Sequence, residues 1–165
     1  MARRGILLIA ALAGAALAGC SSAAPAPPVP PAPPAPPPAC ALDAEKLRAV
    51  TGVTWTAETA TATATRCVYD PDGSQGPVFA AVTIAEGGAA AELDTIAQAC
   101  VSGSRQVVAS GFVCRLGAGD RSTGSVLAAT AGNGRLVTVT VSAPPAGTTA
   151  DAISRALAEQ LPALS

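Results

Sequence analysis

Five cysteines and the complete absence of histidine define the chemistry open to this chain of 165 residues. A cysteine becomes a strong nucleophile beside a histidine or lysine, and the chain has no histidine and one lysine, Lys46. Histidine-based triads, histidine general bases and histidine-containing zinc sites are therefore excluded. No CxxC spacing occurs, which argues against a zinc site built from cysteine alone. The sequence predicts a protein that is not an enzyme and needs no cofactor and no metal.

The N-terminal residues have the pattern of an export signal. Arg3 and Arg4 form a positive start, and residues 6–12 form a short apolar run. Residues 5–19 number 15, which is below the ~20 needed to span a bilayer. A signal peptide over residues 1–19 is therefore favoured over a transmembrane helix.

The end of this segment reads Leu17-Ala18-Gly19-Cys20. It resembles the lipobox of bacterial lipoproteins, in which the cysteine is lipidated and becomes the new N-terminus. The resemblance implies lipidation of Cys20, for example by palmitate, and attachment to the cell membrane on its extracytoplasmic face. A plain signal peptide, the alternative, would not need a cysteine here.

Residues 20–39 are dominated by proline, with 10 of the 15 prolines of the chain. Proline fixes φ and lacks a backbone donor, so no core forms here and a disordered, extended tether is expected. At ~3.1 Å per residue, this tether reaches roughly 60 Å. A ligand for a proline-binding domain is the alternative, but no Arg or Lys flanks the prolines to orient one.

The four remaining cysteines, Cys40, Cys67, Cys100 and Cys114, are an even number in an exported chain, which is typical of disulfides. Of the three possible connectivities, Cys40–Cys67 and Cys100–Cys114 is favoured because each joins neighbouring elements in chain order. Two bridges would help a core that is poor in large side chains. Forty residues are Ala and only 2% are aromatic, and Ala buries little area.

One glycine-rich loop is a candidate ligand site, formed by Gly117, Gly119, Asp120 and Arg121. Its backbone N–H groups and Arg121 could hold an anion. The alternative is an ordinary hairpin loop with a local Asp–Arg pair, and the GxxxxGK pattern of a phosphate loop is absent. The net charge of -1 argues against a nucleic-acid partner.

Residues 40–165 are predicted to form one α+β domain, with about three helices on a mainly antiparallel sheet. Asp43 and Gly52 are expected to cap the first helix, with Leu47 and Val50 facing the core. Asn133-Gly134 between apolar runs predicts a hairpin. The predicted order is α-β-β-α-β-β-β-α, with helices over 44–51, 89–101 and from Thr149 or Asp151 to 161, and strands over 66–69, 78–85, 107–109, 112–116, 125–130 and 136–142. The threonine-rich residues 56–65 suit a strand or an extended loop, and are a candidate for O-linked sugars.

This organisation resembles small actinobacterial, mycobacterial-type lipoproteins with a four-cysteine domain of unknown function. The matching features are a cysteine before a first helix that ends in glycine (Cys40, Gly52), a cysteine near an aromatic residue (Cys67, Tyr69), a later cysteine pair and a Gly-x-Gly-Asp turn at 117–120. Members often have Trp where this chain has Tyr69. The resemblance implies an envelope lipoprotein and supplies no catalytic residues.

The expected function is therefore that of a lipid-anchored envelope protein with a non-catalytic binding domain. Its partner would be an envelope protein or a cell-wall component. One alternative is a carrier of a small apolar ligand, because Ala and Val side chains leave space for a cavity. Another is a cryptic cell-wall hydrolase with Asp120 and a second acid in a cleft.

Overall fold

A single antiparallel sheet with helices on both faces is the frame of the domain. A computed structural model of the protein describes residues 34–73, 78–87, 90–108, 110–117 and 124–164. These ranges belong to one compact unit, Pro34–Ser165. Within them lie three α-helices and seven β-strands, in the order α1 Ala44–Thr51, β1 Trp55–Ala57, β2 Arg66–Pro71, β3 Ala80–Glu86, α2 Ala90–Ala97, β4 Gln106–Val108, β5 Gly111–Leu116, β6 Ser125–Gly132, β7 Arg135–Val141 and α3 Ala150–Leu164.

The strand order in the sheet is β1-β2-β3-β7-β6-β5-β4, and every neighbouring pair is antiparallel. The two halves join where β3 pairs with β7, with Val82 opposite Val139. The hairpin between β6 and β7 turns at Asn133 and Gly134, which both have positive φ, at 52° and 73°. That conformation is typical of a two-residue hairpin turn. The predicted α+β class, the antiparallel sheet and this hairpin are confirmed.

Helix α1 begins and ends where its sequence predicts. The Asp43 carboxylate accepts hydrogen bonds from the backbone N–H groups of Glu45 and Lys46, as an N-cap does. Gly52 ends the helix with φ of 71°, and its N–H donates to the Arg48 carbonyl. The Gln160 side chain of α3 accepts from the Asp43 N–H at 2.7 Å, so the start of α1 is held against α3.

The sheet has an apolar layer on each face. On one face, Leu47 of α1 and Ile153, Leu157 and Leu161 of α3 pack with valines of the central strands. Trp55 belongs to this core with 4% of its surface exposed, and its ring N–H donates to the Thr51 hydroxyl at 3.0 Å. On the other face, the α2 side chains pack on β5 and β6 in a smaller cluster of Phe112, Cys114, Leu127 and Ala129 with Leu93, Ile96, Ala97, Cys100 and Leu116.

Two disulfides fasten these layers, with the predicted connectivity. Cys40–Cys67 joins the segment before α1 to β2, with the two Cα atoms 5.2 Å apart. Cys100–Cys114 joins the end of the α2 segment to β5, with a Cα separation of 5.6 Å. Both separations lie in the usual range for disulfides. Each bridge connects a segment that flanks a helix to a strand of the sheet.

Several local predictions are wrong or incomplete. The structure has seven strands where the predicted order has five. The additional strand β1 forms at Trp55–Ala57, whereas the two short strands predicted over 107–109 and 112–116 are confirmed as β4 and β5, which the predicted order counts as one. Val50 is 36% exposed instead of facing the core. Helix α2 ends at Ala97, and Cys100 forms an isolated bridge with Leu116. Beyond β1, residues 58–65 are turn and loop, in agreement with the extended-loop alternative.

Candidate functional site

A polar cleft opens between α3 and the β4–β5 edge of the sheet. We call it the α3 cleft, and its volume is about 540 Å³. Such a volume lies within the usual range of small-molecule sites, about 300–1,000 Å³. The residues that line it come from the turn after α2, from β4 and β5, and from the first turns of α3: Gly103, Ser104, Gln106, Arg115, Asp151, Ser154 and Arg155.

Strand alternation explains why Arg115 reaches this cleft. Val113 of β5 is buried in the core that α3 covers, and residues two apart on a strand lie on the same face. Arg115 therefore emerges beside α3 where the helix no longer covers the sheet. Gln106 of β4 pairs with Val113, so it projects from the same face.

Helix periodicity brings the α3 residues together. Asp151, Ser154 and Arg155 are spaced i, i+3 and i+4, which places them on one side of the helix. The apolar side, with Ile153 and Leu157, packs on the sheet. Thr149 caps the helix by accepting from the Ala152 N–H at 3.2 Å, which confirms one of the two predicted caps.

Two serines have different roles in the α3 cleft. The Ser104 hydroxyl donates to the Val101 carbonyl at 2.7 Å and accepts from the Arg115 N–H at 3.1 Å. It therefore fastens the turn after α2 to the backbone of β5. Ser154 is only 3% exposed, and its hydroxyl has no hydrogen-bond partner among the described residues.

The charged groups of the α3 cleft form no ion pair with the described residues. Among the described residues, ion pairs join Arg48 to Glu45, Arg105 to Asp94 and Arg135 to Glu86. Arg115, Arg155 and Asp151 form no ion pair in this part of the chain. The lining thus combines two guanidinium groups with one carboxylate, and its net charge is positive although that of the whole chain is -1.

Some of the residues that the sequence predicts as sites lie within the described ranges, and others do not. Cys40, Cys67, Cys100 and Cys114 are disulfide-bonded as predicted. Gly117 is exposed with φ of 80° at the end of β5. Cys20, Gly119, Asp120 and Arg121 lie outside the described residues, so the lipidation and ligand-loop predictions stay predictions.

Tyr69, the aromatic residue near Cys67, belongs to the core. Tyr69 is buried and its hydroxyl accepts from the Leu42 N–H at 3.1 Å. Burial raises the pKa of Tyr69, and the Leu42 hydrogen bond partly opposes that shift. In the described ranges no three His, Cys, Asp or Glu side chains gather in a group suited to a metal ion.

Sequence reasoning missed the α3 cleft. Its one local signal is a polar triplet, Asp151, Ser154 and Arg155, at helical spacing next to an apolar face. Arg115 and Gln106 carry no such signal, because their position depends on the β4–β5 register and on where α3 crosses the sheet.

No family model matches this chain, and neither curated proteins nor solved structures provide a significant match. The helices in the described ranges include none with the length and apolar content to cross a bilayer.

Proposed function

We propose that the protein is a lipid-anchored envelope lipoprotein, held at the extracytoplasmic face of the cell membrane, with a non-catalytic binding domain. The observation that carries this proposal is the pairing of Cys40 with Cys67 and of Cys100 with Cys114. Persistent disulfides are typical of exported proteins. They agree with the signal pattern and with the lipobox-like end at Cys20.

The lining of the α3 cleft supports binding better than catalysis. General acid–base catalysis works best with a group that titrates near the operating pH. Guanidinium groups stay charged throughout that range and act as fixed donors. Asp151 is the single carboxylate among the lining residues, whereas glycoside hydrolysis normally uses two. The cryptic-hydrolase alternative therefore has less support in this cleft.

The same lining bears on the apolar-carrier alternative. A carrier of an apolar molecule needs a cavity walled by hydrophobic side chains, and the α3 cleft is lined mainly by charged and polar ones. These side chains favour a polar ligand. We assign the binding domain an envelope protein or a cell-wall component as its partner, as the resemblance to actinobacterial lipoproteins implies.

Metabolic labelling tests the anchor. Cells that express the full chain are grown with an alkyne-bearing palmitate analogue, and the protein is isolated from membranes. We expect label on the wild type and on the matched control Ser21→Ala, and none on Cys20→Ala, which should leave the membrane fraction. Label and membrane retention that persist in Cys20→Ala, or a wild type without label, would contradict the proposal.

A further inference from the structure

We propose that the α3 cleft binds a cell-wall component through an oxyanion, either a carboxylate or a phosphate group. The inference rests on the proposed function, because it names the ligand class of the binding domain. Arg115 and Arg155 would hold the oxyanion, and the Ser154 hydroxyl would donate to it.

The charge of the α3 cleft favours an anion. Arg115 and Arg155 reach one cleft from two different elements, and neither has an acidic partner among the described residues. Arginine is the side chain best suited to carboxylate and phosphate, because its planar fork donates two parallel hydrogen bonds. Two guanidiniums in one concave site favour an anion over a neutral ligand.

The Ser154 hydroxyl adds a hydrogen-bond donor that is independent of charge. Ser154 lines the α3 cleft, and its hydroxyl has no hydrogen-bond partner among the described residues. A serine hydroxyl can donate one hydrogen bond. An acceptor oxygen of a ligand in the cleft would satisfy this hydroxyl.

The elements that carry these side chains are rigid. The Ser104 hydroxyl accepts from the Arg115 N–H at 3.1 Å, so the backbone that bears Arg115 is fixed on both edges. Ser154 and Arg155 lie on a helix whose apolar side is fully buried. A site on rigid elements loses little entropy when a ligand binds. At about 540 Å³ the cleft has room for a molecule larger than a lone ion, and the Gln106 amide is available to the polar remainder of such a molecule.

Asp151 provides a variant with the opposite effect. Its carboxylate lines the same cleft and repels an anion held by the two arginines. Asp151→Asn should therefore strengthen binding of an oxyanion, whereas Arg115→Gln and Arg155→Gln should weaken it. Opposite signs from variants of the same cleft cannot result from general destabilisation.

The test is a titration of the full chain in non-ionic detergent, followed by the amide NMR signals of Ser104, Arg115 and Ser154. Inorganic phosphate is the probe in one arm and acetate in the other, at constant ionic strength. We expect saturable shifts, and tighter binding in one arm identifies that group as the ligand chemistry. Arg115→Gln and Arg155→Gln should each weaken binding roughly tenfold, as the loss of one charge-assisted pair does.

Controls make the result specific. Arg66→Gln changes the net charge equally but lies on β2, at the other end of the sheet, and should leave the affinity unchanged. Ser154→Ala should weaken binding with an unchanged unfolding midpoint. Shifts that do not saturate in either arm, or an Arg66→Gln effect equal to that of Arg115→Gln, would overturn the proposal. Either outcome leaves the labelling of Cys20 unaffected, so the two proposals fail separately.

Discussion

The Cys40–Cys67 disulfide closes the domain at the point where the proline-rich segment enters it. Cys40 directly follows Ala39, which is fully buried, and Cys67 lies in β2. A sequence separation of 27 gives a chain-entropy contribution of about 3.6 kcal/mol at 25 °C. The double variant Cys40→Ala with Cys67→Ala should lose this amount from the free energy of unfolding.

The assay is equilibrium unfolding in urea, with Trp55 fluorescence as the probe, since Trp55 is the single tryptophan. The matched control is Cys100→Ala with Cys114→Ala, where a separation of 14 corresponds to about 3 kcal/mol. The two bridges lie in different apolar clusters, so their losses should add in the fourfold variant.

A local measurement separates this account from general weakening. The Leu42 N–H donates to the buried Tyr69 hydroxyl, and the Cys40–Cys67 bridge holds both groups in place. Amide exchange of Leu42 should therefore accelerate in the Cys40/Cys67 variant more than in the Cys100/Cys114 variant. A loss below about 1 kcal/mol for the first pair, far from the chain-entropy value, would refute the reasoning.

Three further predictions concern the core. Gly111→Ala should lower the free energy of unfolding, measured in urea, by several kcal/mol, because the new Cβ would lie 1.9 Å from the Ala129 carbonyl oxygen. Gly52→Ala has open space around it but places a side chain at φ of 71°, so it should cost only about 1–2 kcal/mol, and equal losses would contradict this reasoning. Burial raises the pKa of Tyr69, so the contribution of Tyr69 to the free energy of unfolding is complete below the ordinary tyrosine pKa of about 10. That contribution is lost as the pH rises further. Tyr69 is the single tyrosine, so absorbance reports its titration directly, and Tyr69→Phe should remove this alkaline slope. Leu157→Ala, at 1% exposure, should cost about 2–5 kcal/mol by calorimetry, and a loss below 1 kcal/mol would show that α3 is loosely packed.

Local signals account for the parts of the fold that the sequence predicts. The Asp43 and Gly52 caps and the Asn133-Gly134 turn depend on backbone chemistry within a few residues. Val50 lies at helical spacing from Leu47, yet it is exposed because α3 covers only one side of α1. Helix α2 ends before residue 101, its predicted end, because Cys100 forms a disulfide with Cys114 and an isolated β-bridge with Leu116 of β5.

The α3 cleft was beyond sequence reasoning for a physical reason. Arg115 and Arg155 are 40 positions apart, and their meeting requires both the β5 alternation and the path of α3 across the sheet. An isolated arginine in a chain of near-neutral charge belongs to no sequence motif that would indicate a binding site. The glycine-rich loop, in contrast, forms a recognisable pattern within six consecutive residues.

The most direct test of the central claim is the intact mass of the full chain extracted from its membrane, alkylated with and without prior reduction. We expect a chain that begins at Cys20, carries acyl groups there, takes up no alkyl group before reduction and takes up four after it. Those four groups belong to the cysteines of the two disulfides. A chain that begins at Met1 with a free Cys20 thiol, or one whose domain cysteines are alkylated without reduction, would contradict the account.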